Sequence, residues 1–252
     1  MTTALSVNLN KIALIRNSRE GNYPDVLAHA RICIDHGADG ITVHPRPDQR
    51  HIRPDDVRQL AALLAPMDEL EFNIEGNPFA PAKGCYPGLL ALAEETRPDQ
   101  CTLVPDSDNQ LTSDHGFDLT RSADQLAPMI AELQSRGIRV SLFMDPILEQ
   151  IRLAREVGAD RIELYTGPYA AAWGTSQLDE IFQQHFRAAE LAGELGLGLN
   201  AGHDLNLINL PRYANLPGLL EVSIGHALTV DAIAMGLGNA VQAYKKILTD
   251  AA

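Results

Sequence analysis

The stretch PDVLAHARICIDHGADGITVHP, residues 24–45, places Val26, Ala30, Cys33 and Ile34 on one helical face, then Gly37, then the apolar, β-branched run GITVHP. Apolar residues three and four apart mark a helix packed on one side, and the glycine marks its end. The run that follows reads as a strand. The same unit recurs along the chain. ADQLAPMIAELQSRG (123–137) leads into RVSLFMD (139–145), and PILEQIRLAREVGAD (146–160) into RIELYTG (161–167). DEIFQQHFRAAELAGELGLG (179–198) is a longer helix with the same ending. Strand-like runs also stand at LSVNL (5–9), LEFNI (70–74), CTLVP (101–105), LGLNAG (197–202) and LEVSIGHA (220–227).

Eight strands alternating with helices call for a parallel sheet covered by helices. Fitted into 252 residues, they predict one closed (β/α)8 barrel of the TIM type, a single domain over 1–252. An open doubly wound sheet is expected to carry a G-x-G-x-x-G turn after its first strand, and NLNKIALIRNSR has none. The polar residues Asn8, Glu71, Glu163 and Asn200 inside strand-like runs suit a barrel lumen.

Composition narrows the function. The net charge of −13 disfavours nucleic acid or an anionic membrane as partner. No apolar run is long enough to cross a bilayer and MTTALSVNLNK lacks a signal-peptide pattern, so a cytoplasmic protein is expected. Cys33, Cys85 and Cys101 contain no CxxC pair and read as small buried hydrophobes. The charge is uneven: residues 1–53 hold seven Lys and Arg against five Asp and Glu, a local balance of +2. Were the chain an acidic enzyme with anionic substrates, it would have to concentrate positive charge locally, and this segment offers the place.

Barrels place their chemistry at the C-terminal ends of the strands. The residues expected there are Asn8 and Asn10, His44 and Arg46, Glu71, Thr112, His203, and Gly225 with His226. Two histidines and a carboxylate on one rim suit proton transfer near neutral pH. A zinc site from His44, Glu71 and His203 is the lesser reading, because none share a short ligand spacing. Arg46, Arg50 and His51 suit a phosphate, with Arg16 and Arg19 placed to close on the same anion. Gly225, between a strand and a helix, suits a second phosphate. The loops EGNPFAPAKGCYPG (75–88) and DSDNQLTSDHGFD (106–118) both leave strand ends. The second is a candidate lid. His29, His36 and His185 fall on helix surfaces and are expected to be solvated.

Together VNLNKIALIRNSR, GADGITVHPRPDQRHI, LEFNIEG, GADRIELYTGPYA, LNAGHDLN and IGHAL resemble the pyridoxine 5′-phosphate synthase family, over nearly the whole chain. The resemblance implies a (β/α)8 fold and a homo-oligomer (an octamer) without metal or organic cofactor. It implies transferase-class ring closure in vitamin B6 biosynthesis, joining two small phosphorylated substrates. These are 3-amino-2-oxopropyl phosphate and 1-deoxy-D-xylulose 5-phosphate; the products are pyridoxine 5′-phosphate, phosphate and water. By position, His44, Glu71 and His203 match acid–base residues. Arg46, His51 and Thr112 match contacts to the deoxyxylulose phosphate. Asn8, Gly225 and His226 match contacts to the amino-ketone phosphate, and Arg19 a further substrate contact.

Two positions depart from the family pattern. Asn10-Lys11 stands where Asp-His is expected at a substrate contact, and Asp204 follows His203 in place of glycine. The 75–88 loop looks like an insertion and is assigned no chemistry. An aldolase working through a lysine imine would have only Lys11 near a strand end, among four lysines. A non-catalytic phosphometabolite sensor would bind tightly and form no product.

Overall fold

A computed structural model describes residues 2–107 and 110–251. Strands β1 (Ala4–Asn8), β2 (Gly40–Val43), β3 (Glu71–Gly76), β4 (Gln100–Leu103), β5 (Arg139–Met144), β6 (Arg161–Leu164), β7 (Gly198–Ala201) and β8 (Leu219–Ile224) are parallel. Each pairs with its neighbours in sequence, and β8 returns to β1 to close the barrel. Helices α1 (Asn10–Asn17) and α2 (Val26–Asp35) follow β1. Helices α3 (Pro54–Leu64), α4 (Leu89–Thr96), α5 (Leu119–Ser135) and α6 (Leu148–Glu156) follow β2 to β5 in turn. Then α7 (Gly167–Ala171) and α8 (Leu178–Glu194) follow β6, α9 (Leu210–Tyr213) follows β7, and α10 (His226–Met235) and α11 (Leu237–Asp250) follow β8. The expected barrel is therefore the architecture observed. Gly37 and Gly158 end α2 and α6 with φ of 95° at both positions, a backbone conformation that side chains with a Cβ resist.

Strand side chains alternate between two environments. One set (Leu5, Val7, Ile41, Val43, Ile74, Leu142, Ile162, Leu164, Val222 and Ile224) is fully buried between sheet and helices. It packs with helix residues such as Ala30, Cys33, Val57, Leu60, Leu126 and Ile130 in one continuous core. The other set points into the lumen and is polar. Ser6 and Thr42 hydroxyls lie 2.7 Å apart, Thr102 Oγ1 donates to Asn73 Oδ1 at 3.1 Å, and Asn200 Nδ2 reaches across to Gln100 Oε1 at 3.3 Å. Barrel interiors are usually filled by branched apolar side chains. Here hydrogen bonds hold the lumen instead, so each buried polar group needs a partner.

Paired aspartates tie the strand starts together. Asp39, Asp99 and Asp160 each precede an even-numbered strand. Each accepts from an amide of the strand before it: Leu5 N at 2.6 Å, Phe72 N at 2.7 Å and Val140 N at 2.8 Å.

Two expectations are corrected. His185 is not solvated: it is fully buried under α8, its Nδ1 lies 2.9 Å from Tyr213 Oη, and burial lowers its pKa to about 4. Its neighbours on α8 are apolar on that side, which places the ring in an aromatic cluster with Tyr169 and Tyr213. Cys33 and Cys101 are buried, but Cys85 is exposed on the loop after β3.

Candidate active site

The C-terminal mouth holds a cavity of 330 Å³. Asn8, Asn10, His44, Arg46, Thr112, His203, Gly225 and His226 line it, as the strand-end reading expected, and Lys11, His51 and Asp204 line it with them. β1 delivers the first of these through a local turn. Asn8 Oδ1 accepts the Asn10 amide at 3.0 Å, and Asn10 Oδ1 in turn accepts the His44 amide at 2.9 Å. The Asn10 departure thus fixes the backbone of a histidine. A Cβ at Gly225 would sit 2.9 Å from Asn8 Cβ, so only glycine lets β8 come this close to β1. Gly225 and His226 line the cavity at the N-terminal, positive end of α10, a helix of ten residues.

Glu71 is not on this rim. It is the first residue of β3, opposite Gly40, the first residue of β2, and its partly exposed carboxylate binds Arg139. The sequence reading ended this strand at Ile74. The strand runs on to Gly76, and its period of two carries Glu71, Asn73 and Glu75 on the lumen side. Four residues at about 3.3 Å each separate the two glutamates along the strand, and Glu75 is the one that arrives at the cavity. Arg19 is exposed and lies off the cavity lining. Arg16 is committed elsewhere: buried, it donates to both Asp56 oxygens at 2.5 and 2.8 Å and to the His51 carbonyl at 3.1 Å. It ties α1 to the β2–α3 loop and does not line the cavity.

His44 lies between two carboxylates. Its Nδ1 is 3.6 Å from Glu75 Oε2, and its Nε2 is 3.2 Å from Asp106 Oδ2, off the line of a good hydrogen bond. Burial alone lowers the pKa of this ring, but the charges of Asp106 and Glu75 outweigh it and raise the value to about 9. That shift favours the imidazolium form of His44 at neutral pH. His51 is its opposite. Burial, then His44, Arg46, Lys11 and Arg50 together, lower it to about 3. Its Nδ1 accepts the Ile52 amide at 2.9 Å, so the neutral ring carries its hydrogen on Nε2. Lys11 also has a lowered pKa, from burial and the nearby Arg46.

Across the mouth, His203 Nδ1 lies 2.7 Å from Asp204 Oδ2 and Nε2 lies 2.7 Å from Thr112 Oγ1. Asp204, the second departure, therefore holds the ring of His203. Phe143 and Tyr165 pack edge-on against it. Glu163, on β6, lines the floor at 4% exposure; burial first, then Glu75 and Glu221, raise its pKa well above the usual carboxylate range. Asp106 and Glu75 were not expected here. Period-two counting through Gly76 would have found Glu75. Asp106 sits in a polar loop without a local signature, and Asp108 and Asn109 of that candidate lid fall outside the described residues.

Barrels that gather titratable and anion-gripping groups at the C-terminal mouth are enzymes, and this fold and site define a (β/α)8-barrel enzyme. Within that class the chain belongs to the family described as pyridoxal phosphate biosynthesis protein PdxJ, whose model matches residues 5–250. The pyridoxine 5′-phosphate synthase of Xanthomonas axonopodis pv. citri (strain 306) is 58% identical over 249 residues, 98% of this chain and 97% of that protein. The pyridoxine 5′-phosphate synthase of Xylella fastidiosa (strain M23) is 54% identical over 247 residues, covering 98% and 95%. Among solved structures, 3-hexulose-6-phosphate synthase from Salmonella typhimurium superposes with a TM-score of 0.64 over 100% of both chains at 16% identity, a likeness of fold.

Proposed function

We infer that this chain is a pyridoxine 5′-phosphate synthase, closing the pyridine ring from 3-amino-2-oxopropyl phosphate and 1-deoxy-D-xylulose 5-phosphate. The observation that carries this reading is one cavity lined by His44 between two carboxylates, by a second histidine, and by groups suited to anions at two separate edges. Arg46 and the Nε2 hydrogen of His51 suit one phosphate. The Gly225 turn, the start of α10 and Asn8 suit the other.

The substrate amine condenses with the other substrate's ketone, so no protein lysine is needed for the imine. Each later step moves protons. His44, already charged, gives a proton to a departing hydroxyl, and Glu75 beside its Nδ1 accepts one from carbon or restores the ring. His203, oriented by Asp204, serves the steps on the other side. Glu163, whose burial favours the neutral acid, is placed to donate from the floor. General acid–base groups of this kind contribute about 10²–10⁴ each in rate, and holding both substrates in one cavity adds the benefit of orientation.

Glu71, proposed from the resemblance as a third acid–base group, reaches the rim only through the polar lumen. Arg19 remains a proposed substrate contact whose side chain has to swing in, or be lent to a neighbouring copy. A homo-oligomer, an octamer by the resemblance, is supported by the exposed apolar residues Leu14 and Ile15 on α1 and Val230 and Ile233 on the adjoining α10. Among the described residues no helix is long and apolar enough to cross a membrane, and a cytoplasmic location fits a biosynthetic enzyme.

The test is incubation of purified protein with both phosphorylated substrates, without added metal or nucleotide. Appearance of pyridoxine phosphate supports the reading. Tight binding of both substrates with no product formed would reject it in favour of a sensor.

A further inference from the structure

Hydroxyl groups inside the barrel are mostly paired. Ser6 Oγ lies 2.7 Å from Thr42 Oγ1, and Thr102 Oγ1 donates to Asn73 Oδ1 at 3.1 Å. Ser141 Oγ and Ser223 Oγ, by contrast, are buried with no hydrogen-bond partner among the described residues. The two differ in what they face. Ser141, on β5, is fully buried and does not line the cavity. Ser223, on β8, is 5% exposed and lines the cavity together with Glu75 and Glu163. A buried hydroxyl without a partner costs stability. One kept at the wall of a site points to a group that arrives with the ligand.

The position of Ser223 says which group. The period of two along β8 places it on the same face as Gly225, about 6.6 Å deeper in the barrel. Gly225, Asn8 and the start of α10 are the groups assigned above to the amino-ketone phosphate. In that substrate the ketone carbon is three bonds from phosphorus, so a chain descending from the Gly225 turn brings its carbonyl to the level of Ser223. The same carbonyl is where the ring must close. Once the amine has joined the other substrate's ketone, the second ring bond is carbon–carbon, and the ketone carbon is the electrophile that the amino-ketone offers.

We propose that Ser223 is a catalytic hydroxyl, donating to the ketone oxygen of the amino-ketone phosphate as that oxygen takes up negative charge in ring closure. This rests on the synthase reading. In the step, a deprotonated carbon of the deoxyxylulose chain supplies the electron pair of the new bond. The carbonyl π pair moves onto oxygen, giving an alkoxide. Ser223 Oγ–H donates a hydrogen bond to the alkoxide and keeps its proton, as oxyanion-binding groups do. Glu163 supplies the proton that turns the alkoxide into a hydroxyl, which later leaves as water.

The experiment is Ser223→Ala, with Ser141→Ala as the control. Because the Ser223 hydroxyl holds nothing in the fold, its removal is expected to leave the urea midpoint unchanged or raised. Meanwhile kcat falls about 10²-fold, and KM for the amino-ketone phosphate changes less than about threefold. The analogue 3-amino-2-hydroxypropyl phosphate has a tetrahedral carbon and a hydroxyl where the ketone stands. Calorimetry should show it binding Ser223→Ala about three- to tenfold more weakly than wild type. Ser141→Ala is expected to keep kcat within about twofold. A lowered urea midpoint or failure of Ser223→Ala to fold would make the hydroxyl structural and overturn the proposal, as would an equal loss of kcat in Ser141→Ala. Full turnover in folded Ser223→Ala, with product formed normally by wild type, would overturn the role of Ser223 alone. Wild-type protein that forms no pyridoxine phosphate would instead reject the synthase reading, and the catalytic role with it.

Discussion

His44 and His51 stand seven positions apart on one loop, their ring centroids 6.2 Å from each other, and titrate in opposite directions. The difference lies in what each ring faces: two carboxylates for His44, only cations and backbone for His51. Exchanging a partner should therefore matter as much as exchanging the ring. Glu75→Gln removes the acceptor 3.6 Å from His44 Nδ1; we predict kcat lower by about 10²–10³, read by steady-state kinetics. Glu71→Gln, at the opposite mouth, is expected to lose less. Asp204→Gly is expected to release the ring of His203, lowering kcat more than it raises KM. Most of these positions were legible as rim positions from the strand ends, because an apolar run followed by His or Asn marks a rim. Glu75 was hidden by its own surroundings: the Gly- and Pro-rich EGNPFAPAKG signals a loop, and the last two residues of β3 were read as part of it.

At the scale of elements, all eight strands were readable with ends within three residues, since β-branched runs between helix-ending glycines leave little freedom. Pairing across strand starts was not. The hooks made by Asp39, Asp99 and Asp160 depend on register, which no local pattern reveals. Asp39→Ala removes the acceptor of Leu5 N and the partner of Lys245 Nζ, 2.6 Å away. We predict a loss of about 1–2 kcal/mol, measured by urea denaturation, with kcat preserved because the rim is at the other end of β1. His185 was misread for a related reason. Helical spacing says which residues share a face but not that α8 is covered on a second side, by α7 and the α9 segment holding Tyr213.

For the whole molecule, buried titratable groups give stability a pH optimum. His185 is held near pKa 4 and His51 near 3, against about 6.5 unfolded. The unfolded chain binds their protons first, so stability falls as pH drops below about 6.5 toward 4, by about 3 kcal/mol for His185 alone. His44 works in the other direction. Raised to about 9, it stabilises fully below pH 6.5, and that contribution is lost as pH climbs through 9. Urea denaturation across pH 4 to 9 should show a maximum near neutrality. His185→Phe should shrink the acidic fall by about 3 kcal/mol, leave the part that His51 supplies, and leave the alkaline side unchanged.

The central claim is that His44 and His203, 159 positions apart in the chain, work on one pair of substrates in one cavity. The most direct measurement is kcat for pyridoxine phosphate formation by His44→Ala and by His203→Ala, both substrates saturating and folding checked by circular dichroism. We predict that each substitution lowers kcat by about 10²–10⁴. Undiminished turnover in either folded variant would contradict the account.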